Sequence, residues 1–146
     1  MEELIFDVKS LLGKGEGATD EYSLDMISDF EDKDIIPKGR LKGKVFIMKL
    51  EQGFNVEIKN IEISLEMTCN KCLKKYKQKV EIPSENWMFL LKKSKEDEKE
   101  GDFFYVDTKT WTVDITEFLR QEIILHFPLI PVCSTHCKGI TIEKNV

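Results

Sequence analysis

Histidine is nearly missing from this chain: His126 and His136 are the only two. An enzyme built on imidazole acid–base chemistry has little to draw on here. No Gly-x-Ser-x-Gly, Walker or dinucleotide fingerprint occurs, so the nucleophile elbow and the phosphate-cradling loops are missing too. Carboxylates are numerous but scattered, and none can be paired by spacing. No apolar run approaches the length of a membrane-spanning helix. The longest, Ile123 to Cys133, is interrupted by His126, Pro128 and Pro131. The start, Met1-Glu2-Glu3-Leu4, lacks the basic and apolar regions of a signal peptide. Together these absences predict a non-enzymatic, cytoplasmic protein whose thiols stay reduced.

What is present suits a soluble globular chain. Of the 146 residues, 41% are apolar and 34% charged, and one domain over residues 1–146 is expected, burying roughly 70% of its unfolded surface. The net charge of −5 is unevenly spread. Residues 1–37 hold eleven acids and three bases, and residues 38–80 hold eleven bases and four acids. Residues 81–146 hold twelve acids and eight bases. A positive field can therefore exist locally on a chain whose pI is near 5.2.

All four cysteines fall in two tight pairs: Cys69 with Cys72, and Cys133 with Cys137, separated by sixty residues. Short-spaced pairs from distant parts of a chain are the usual way to assemble a tetrahedral four-sulfur metal site. With all four thiolates engaged no coordination position stays open, so such a site is structural and not hydrolytic. Classical zinc pairs lie closer together, about 12–20 residues apart, so free thiols and disulfides remain alternatives. A redox Cys-x-x-Cys belongs at a helix start, whereas this pair leaves a strand. His136 is an alternative ligand within the second pair.

The rest of the chain reads as an α+β fold, mainly antiparallel, with six or seven strands in a meander or partly closed barrel. Leu4, Phe6 and Val8 begin an alternating strand, and with Tyr22, Leu24 and Met26 they suggest a hairpin over residues 4–26. Phe30 to Lys33 is too acidic for a core. Leu41, Val45 and Ile47 mark one face of a strand, with Gly53 in the turn that follows. Phe54, Val56 and Ile58 then alternate in the opposite phase to Ile61, Ile63, Leu65 and Met67, which implies a bulge near Lys59-Asn60. Tyr76 to Ile82 is a strand broken at Pro83-Ser84, and Trp87 to Leu91 resumes it. Lys92 to Gly101 is all charge and polarity and predicts a mobile loop. Phe103 to Val106 is a short strand that Trp111 and Val113 extend. Asp114 caps one main helix, with Glu117 at its third position. Its stripe of Ile115, Phe118, Leu119, Ile123 and Phe127 faces a core, and Pro128 ends it. Residues 138–146 form a tail with little to pack.

The basic middle is the candidate nucleic-acid surface. Arg40, Lys42 and Lys44 lie on one strand, and Lys71, Lys74, Lys75 and Lys77 cluster on and after the first cysteine pair. Lysines on a knuckle beside Tyr76 fit a phosphate backbone with an aromatic free for base stacking. Solvated lysines protecting a strand edge are the plainer reading.

In combination, several segments carry a resemblance: Leu65-x-x-x-Cys69-x-x-Cys72-Leu73, Trp87 with the charged loop, Gly101-Asp102, Val113-Asp114-Ile115-Thr116, Gln121-Glu122-Ile123-Ile124-Leu125-x-x-Pro128, and Pro131-x-Cys133-x-x-x-Cys137-Lys138-Gly139. From about residue 40 onward the chain resembles the YceD family, large ribosomal RNA subunit accumulation proteins of bacteria and plastids. The resemblance implies a non-catalytic role in accumulating or processing the 23S ribosomal RNA precursor. The implied partners are that RNA or an rRNA-processing protein, with no membrane, and an adaptor of a ribosomal protein or nuclease is the second possibility. Cys69, Cys72, Cys133 and Cys137 match the family's cysteine pattern, and a structural zinc is the cofactor expected. One departure bears on the metal: related sequences commonly carry a further cysteine pair downstream, where this chain has Ile140 to Val146.

Overall fold

A computed structural model describes residues 2–91, 104–134 and 136–139. The charged loop and the tail beyond Gly139 lie outside these residues. In chain order, a 3-10 turn (Glu2–Leu4) leads to β1 (Ile5–Asp7), α1 (Lys9–Leu12), β2 (Thr19–Met26), β3 (Leu41–Leu50), β4 (Gly53–Thr68), β5 (Lys75–Leu90), β6 (Phe104–Tyr105), β7 (Thr112–Asp114) and α2 (Thr116–Leu125). The fold is α+β. β2 to β5 form an antiparallel meander, and β6 joins β5 in parallel at its far end. β1 and β7 form a separate two-stranded sheet. No barrel closes among the described residues.

The period-two pattern of β3 to β5 reflects burial of a single sheet face. Leu41, Val45 and Ile47 are fully buried, as are Val56, Ile58 and Leu65. The phase switch in β4 is a bulge, as the alternation implied. Lys42 pairs with Glu62 but Lys44 with Lys59, and Asn60 takes φ +52°. Gly43 sits opposite, where a Cβ would collide with the side chain and backbone of Ile61. Extra residues of this kind bend a strand and let both halves bury the same face.

α2 closes the buried face. Phe118, Leu119 and Ile123 are buried, and Phe118 meets Phe89 of β5 edge-on, with centroids 6.2 Å apart. The Asp114 carboxylate accepts the Thr116 N–H at 2.9 Å, so it does satisfy an amide of the first turn. Glu117 does not complete a capping box. It accepts instead from Arg120, whose other branch reaches Asp32 at 2.8 Å.

Five expectations are corrected. β1 pairs with β7, Ile5 opposite Asp114, so there is no hairpin over residues 4–26 and Val8 to Leu12 is not strand. β7 therefore does not extend β6. Pro83 and Ser84 do not break β5, because Pro83 stands opposite the irregular Asn60, where the missing N–H costs little. Phe30 is buried although acids flank it. The segment doubles back, with Lys38 N–H on Ser64 O and Glu66 N–H on Ile36 O, which turns Phe30 and Ile35 inward. Gly53 belongs to β4, and the turn is Glu51-Gln52.

Candidate metal centre and nucleic-acid face

The first cysteine pair closes the β4–β5 hairpin. Cys69 N–H donates to Lys74 O at 2.8 Å and Leu73 N–H to Cys69 O at 2.9 Å, and Leu73 adopts φ +63°. This tight loop lets Cys72 N–H point at Cys69 Sγ, 3.5 Å away. The second pair arrives from the end of α2. Asn70 N–H donates to Pro131 O at 2.7 Å, which stitches the incoming chain to the knuckle, and Cys137 N–H bonds Ser134 O. Gly139, at φ +84°, passes so close that an added Cβ would lie 3.3 Å from Lys71 O.

All four sulfurs therefore converge. Cys69 and Cys137 Sγ are 3.7 Å apart, Cys72 and Cys133 Sγ are 3.7 Å apart, and all four lie within 4.8 Å of one another. A disulfide needs about 2.05 Å, so these are four free thiols. Sulfurs held about 2.3 Å from a tetrahedral zinc sit about 3.8 Å from each other, and two of the distances already match that edge. His136 is exposed and stands outside the group.

The electrostatics agree with a shared site. Burial works against ionising Cys69, but N–H groups of Cys72, Cys133 and Lys71 aimed at its sulfur outweigh that and lower it to about 6. The Cys133 thiol is pushed up to about 12 by its hydrogen bonds to Cys137 and Cys72 and by burial. A divalent ion at the centre would favour the thiolate form of the ligands it holds. Cys69 is wholly inaccessible, which does not suit a redox thiol.

The candidate RNA-binding residues divide in two. Arg40, just before β3, and Lys44 on it are already partnered, with Asp25 and Glu21 of β2, and Lys42 stands in register with Asp25. Lys71, Lys74, Lys75 and Lys77 are exposed, and among the described residues none has an ion pair within 4.0 Å. Tyr76 is half-buried and donates its hydroxyl to Gln78 at 2.8 Å. Burial and the nearby Cys69 and Cys133 raise its pKa. No helix among the described residues is long and apolar enough to cross a membrane.

Residues 59–145 match the family described as large ribosomal RNA subunit accumulation protein YceD, which is more than half of the chain. The chain belongs to the YceD family. The match begins at Lys59 and takes in both cysteine pairs, all of β5 and α2. No curated protein and no solved structure matches the chain.

Sequence reasoning missed a second cluster in this YceD-family chain. Glu85 of β5 lies 3.8 Å from His126 Nε2, and Glu122 lies 3.9 Å from Nδ1, which also contacts Glu122 O at 2.8 Å. The i, i+4 spacing of Glu122 and His126 was the visible signal, but nothing local indicated Glu85. The Asp32–Arg120 pair, 88 residues apart, left no signal at all.

Proposed function

We propose that this protein is a non-catalytic factor supporting accumulation or processing of the 23S ribosomal RNA precursor, working through the knuckle face. Cys69, Cys72, Cys133 and Cys137 would hold a structural zinc, whose chemistry is to clamp the two limbs and leave no open coordination position. One observation carries the reading: the same short loop supplies two of the four converging thiols and the first of the lysines that have no ion pair among the described residues. A family whose description names large ribosomal RNA accumulation makes RNA the natural counter-charge. Phosphates are bound by exposed cations free of internal partners, which favours Lys71, Lys74 and Lys75 over Arg40 and Lys44, whose charges are paired; Lys77 and Lys42 each stand in register with an acid, Glu66 and Asp25. The test is RNA binding by the metal-loaded protein after Lys71, Lys74 and Lys75 are changed to Glu. Binding is expected to be lost with the fold intact, and unchanged binding refutes direct contact.

A second reading, an adaptor for a ribosomal protein or nuclease, is favoured by exposed apolar residues flanking the cysteines. Leu73 is 62%, Leu129 101% and Ile130 61% exposed. A complex that survives nuclease treatment supports the adaptor.

A further inference from the structure

Beside the knuckle lies a cleft of about 460 Å³ walled by Ile36, Met67, Ile124, Phe127 and Pro131. Its size falls in the range of small-ligand clefts, roughly 300–1,000 Å³. Thr68, Glu66, Asp34, Lys33 and Lys75 supply the polar groups. A second cleft of about 310 Å³ is lined by Lys38, Tyr76 and Lys77 and shares Glu66 and Lys75 with the first. An apolar cleft thus runs into a cationic one, with Lys75 at the junction.

We infer that the apolar cleft seats an unstacked base of single-stranded RNA, while the adjoining phosphates lie along Lys75 and Lys77. The inference rests on the RNA reading above and gives it a strandedness. Glu66 borders both clefts, but Asp34 lines only the apolar one and Lys77 only the other, so the backbone is placed on the lysine side. Met67, Ile124 and Phe127 are half-buried against the core, which holds the walls in place without a ligand. A base buried there gains apolar contact and a stacking partner in Phe127 that duplex RNA, with its bases paired and stacked, cannot use.

The test uses the metal-loaded full chain and a labelled ten-nucleotide RNA, free or annealed to its complement, read by fluorescence anisotropy. The single strand should bind about tenfold more tightly than the duplex. Met67→Gln combined with Ile124→Gln should remove that preference and leave the duplex affinity unchanged. Because the double variant risks a folding defect, 4-thiouridine cross-linking on the unaltered protein, mapped by mass spectrometry, supplies a second reading. Cross-links to Met67, Phe127 or their neighbours support the base seat. Equal affinity for single strand and duplex, or cross-links confined to the lysines, overturns the seat but leaves the RNA reading standing. No binding of either RNA overturns both. Loss of a protein partner with these cleft variants, and no RNA binding, assigns the cleft to that protein instead.

Discussion

The lysines of β3 and the lysines of the knuckle belong to one basic stretch of sequence, yet the fold treats them oppositely. β2 is acidic and pairs with β3 in register, so Asp25 and Glu21 neutralise Arg40 and Lys44. The knuckle projects past the end of β2, and no described acid reaches its lysines within ion-pair distance. The lesson is that a charge run becomes a charged surface only where the neighbouring strand does not carry the opposite sign. An exposed pair on a sheet contributes little stability, roughly 0–1 kcal/mol, but it consumes charge that a polyanion would otherwise use.

The largest expected effect comes from removing the proposed zinc clamp. Cys69→Ser, or exhaustive chelation, should lower zinc from about one per chain to near none and free the remaining thiols to titrate. RNA binding should fall with it. Elemental analysis with thiol titration checks this, and four thiols reactive before chelation would remove the metal from the account. Next is the charge comparison itself. Lys71→Glu, Lys74→Glu and Lys75→Glu together should flatten the dependence of log K on log salt by about 2, at about 0.7 per phosphate contact on a single strand. The same change at Arg40, Lys42 and Lys44 should leave that slope nearly unaltered. Equal slopes would break the division between the two groups.

A smaller effect is expected at Arg120, where charge is paired and partly buried. The Asp34 N–H and Arg120 hold the Asp32 carboxyl below its usual range, and Arg120 does the same for Glu117. Folded pKa values below the unfolded ones give stability that is present above the unfolded carboxylate pKa and lost as pH falls through the folded one. Arg120→Met should lower the melting temperature by a few degrees at neutral pH, and its acid-induced loss of stability should be shallower than that of the unaltered chain. Smallest is Glu122. Burial first, then the nearby Glu85, raises its carboxyl, against the opposing pull of His126. The ionised form is therefore disfavoured in the fold, and stability gains as pH falls through the raised pKa. Glu122→Gln should give a slight thermal stabilisation at pH 7 that disappears in acid.

Much of the sheet was legible because one face is buried and the other is not. Val45, Ile47, Val56 and Ile58 repeat at period two, and the shift at Lys59-Asn60 announced its own bulge. α2 was legible from Ile115 through Ile123 for the same reason at the helical period. β1 was not. Leu4, Phe6 and Val8 alternate as they would beside any partner, and the partner chosen, β7, lies more than a hundred residues away. Phe30 was misjudged because acidic neighbours mask a residue that only the doubling back of the chain turns inward. At the candidate metal centre the thiol pairs were visible, but the apolar cleft beside it was not. Its apolar walls come from three separated segments, around residues 36, 67 and 124–131, and Met67 and Phe127 read locally as ordinary members of a strand face and a helix stripe.

The amino-acid order by itself determined the strands of the meander, the bulge, the helical stripe and the two short cysteine loops. These depend on alternation and spacing within a few residues, which local backbone geometry turns directly into structure. Tertiary structure alone decided that the two cysteine loops bring four sulfurs within 4.8 Å of one another, that β2 pairs with β3 and offsets its charge at Arg40 and Lys44, and that Lys75 borders an apolar cleft. Those outcomes depend on register and on which distant segments share a buried face, and that choice is made by burying the most apolar surface across the whole chain at once.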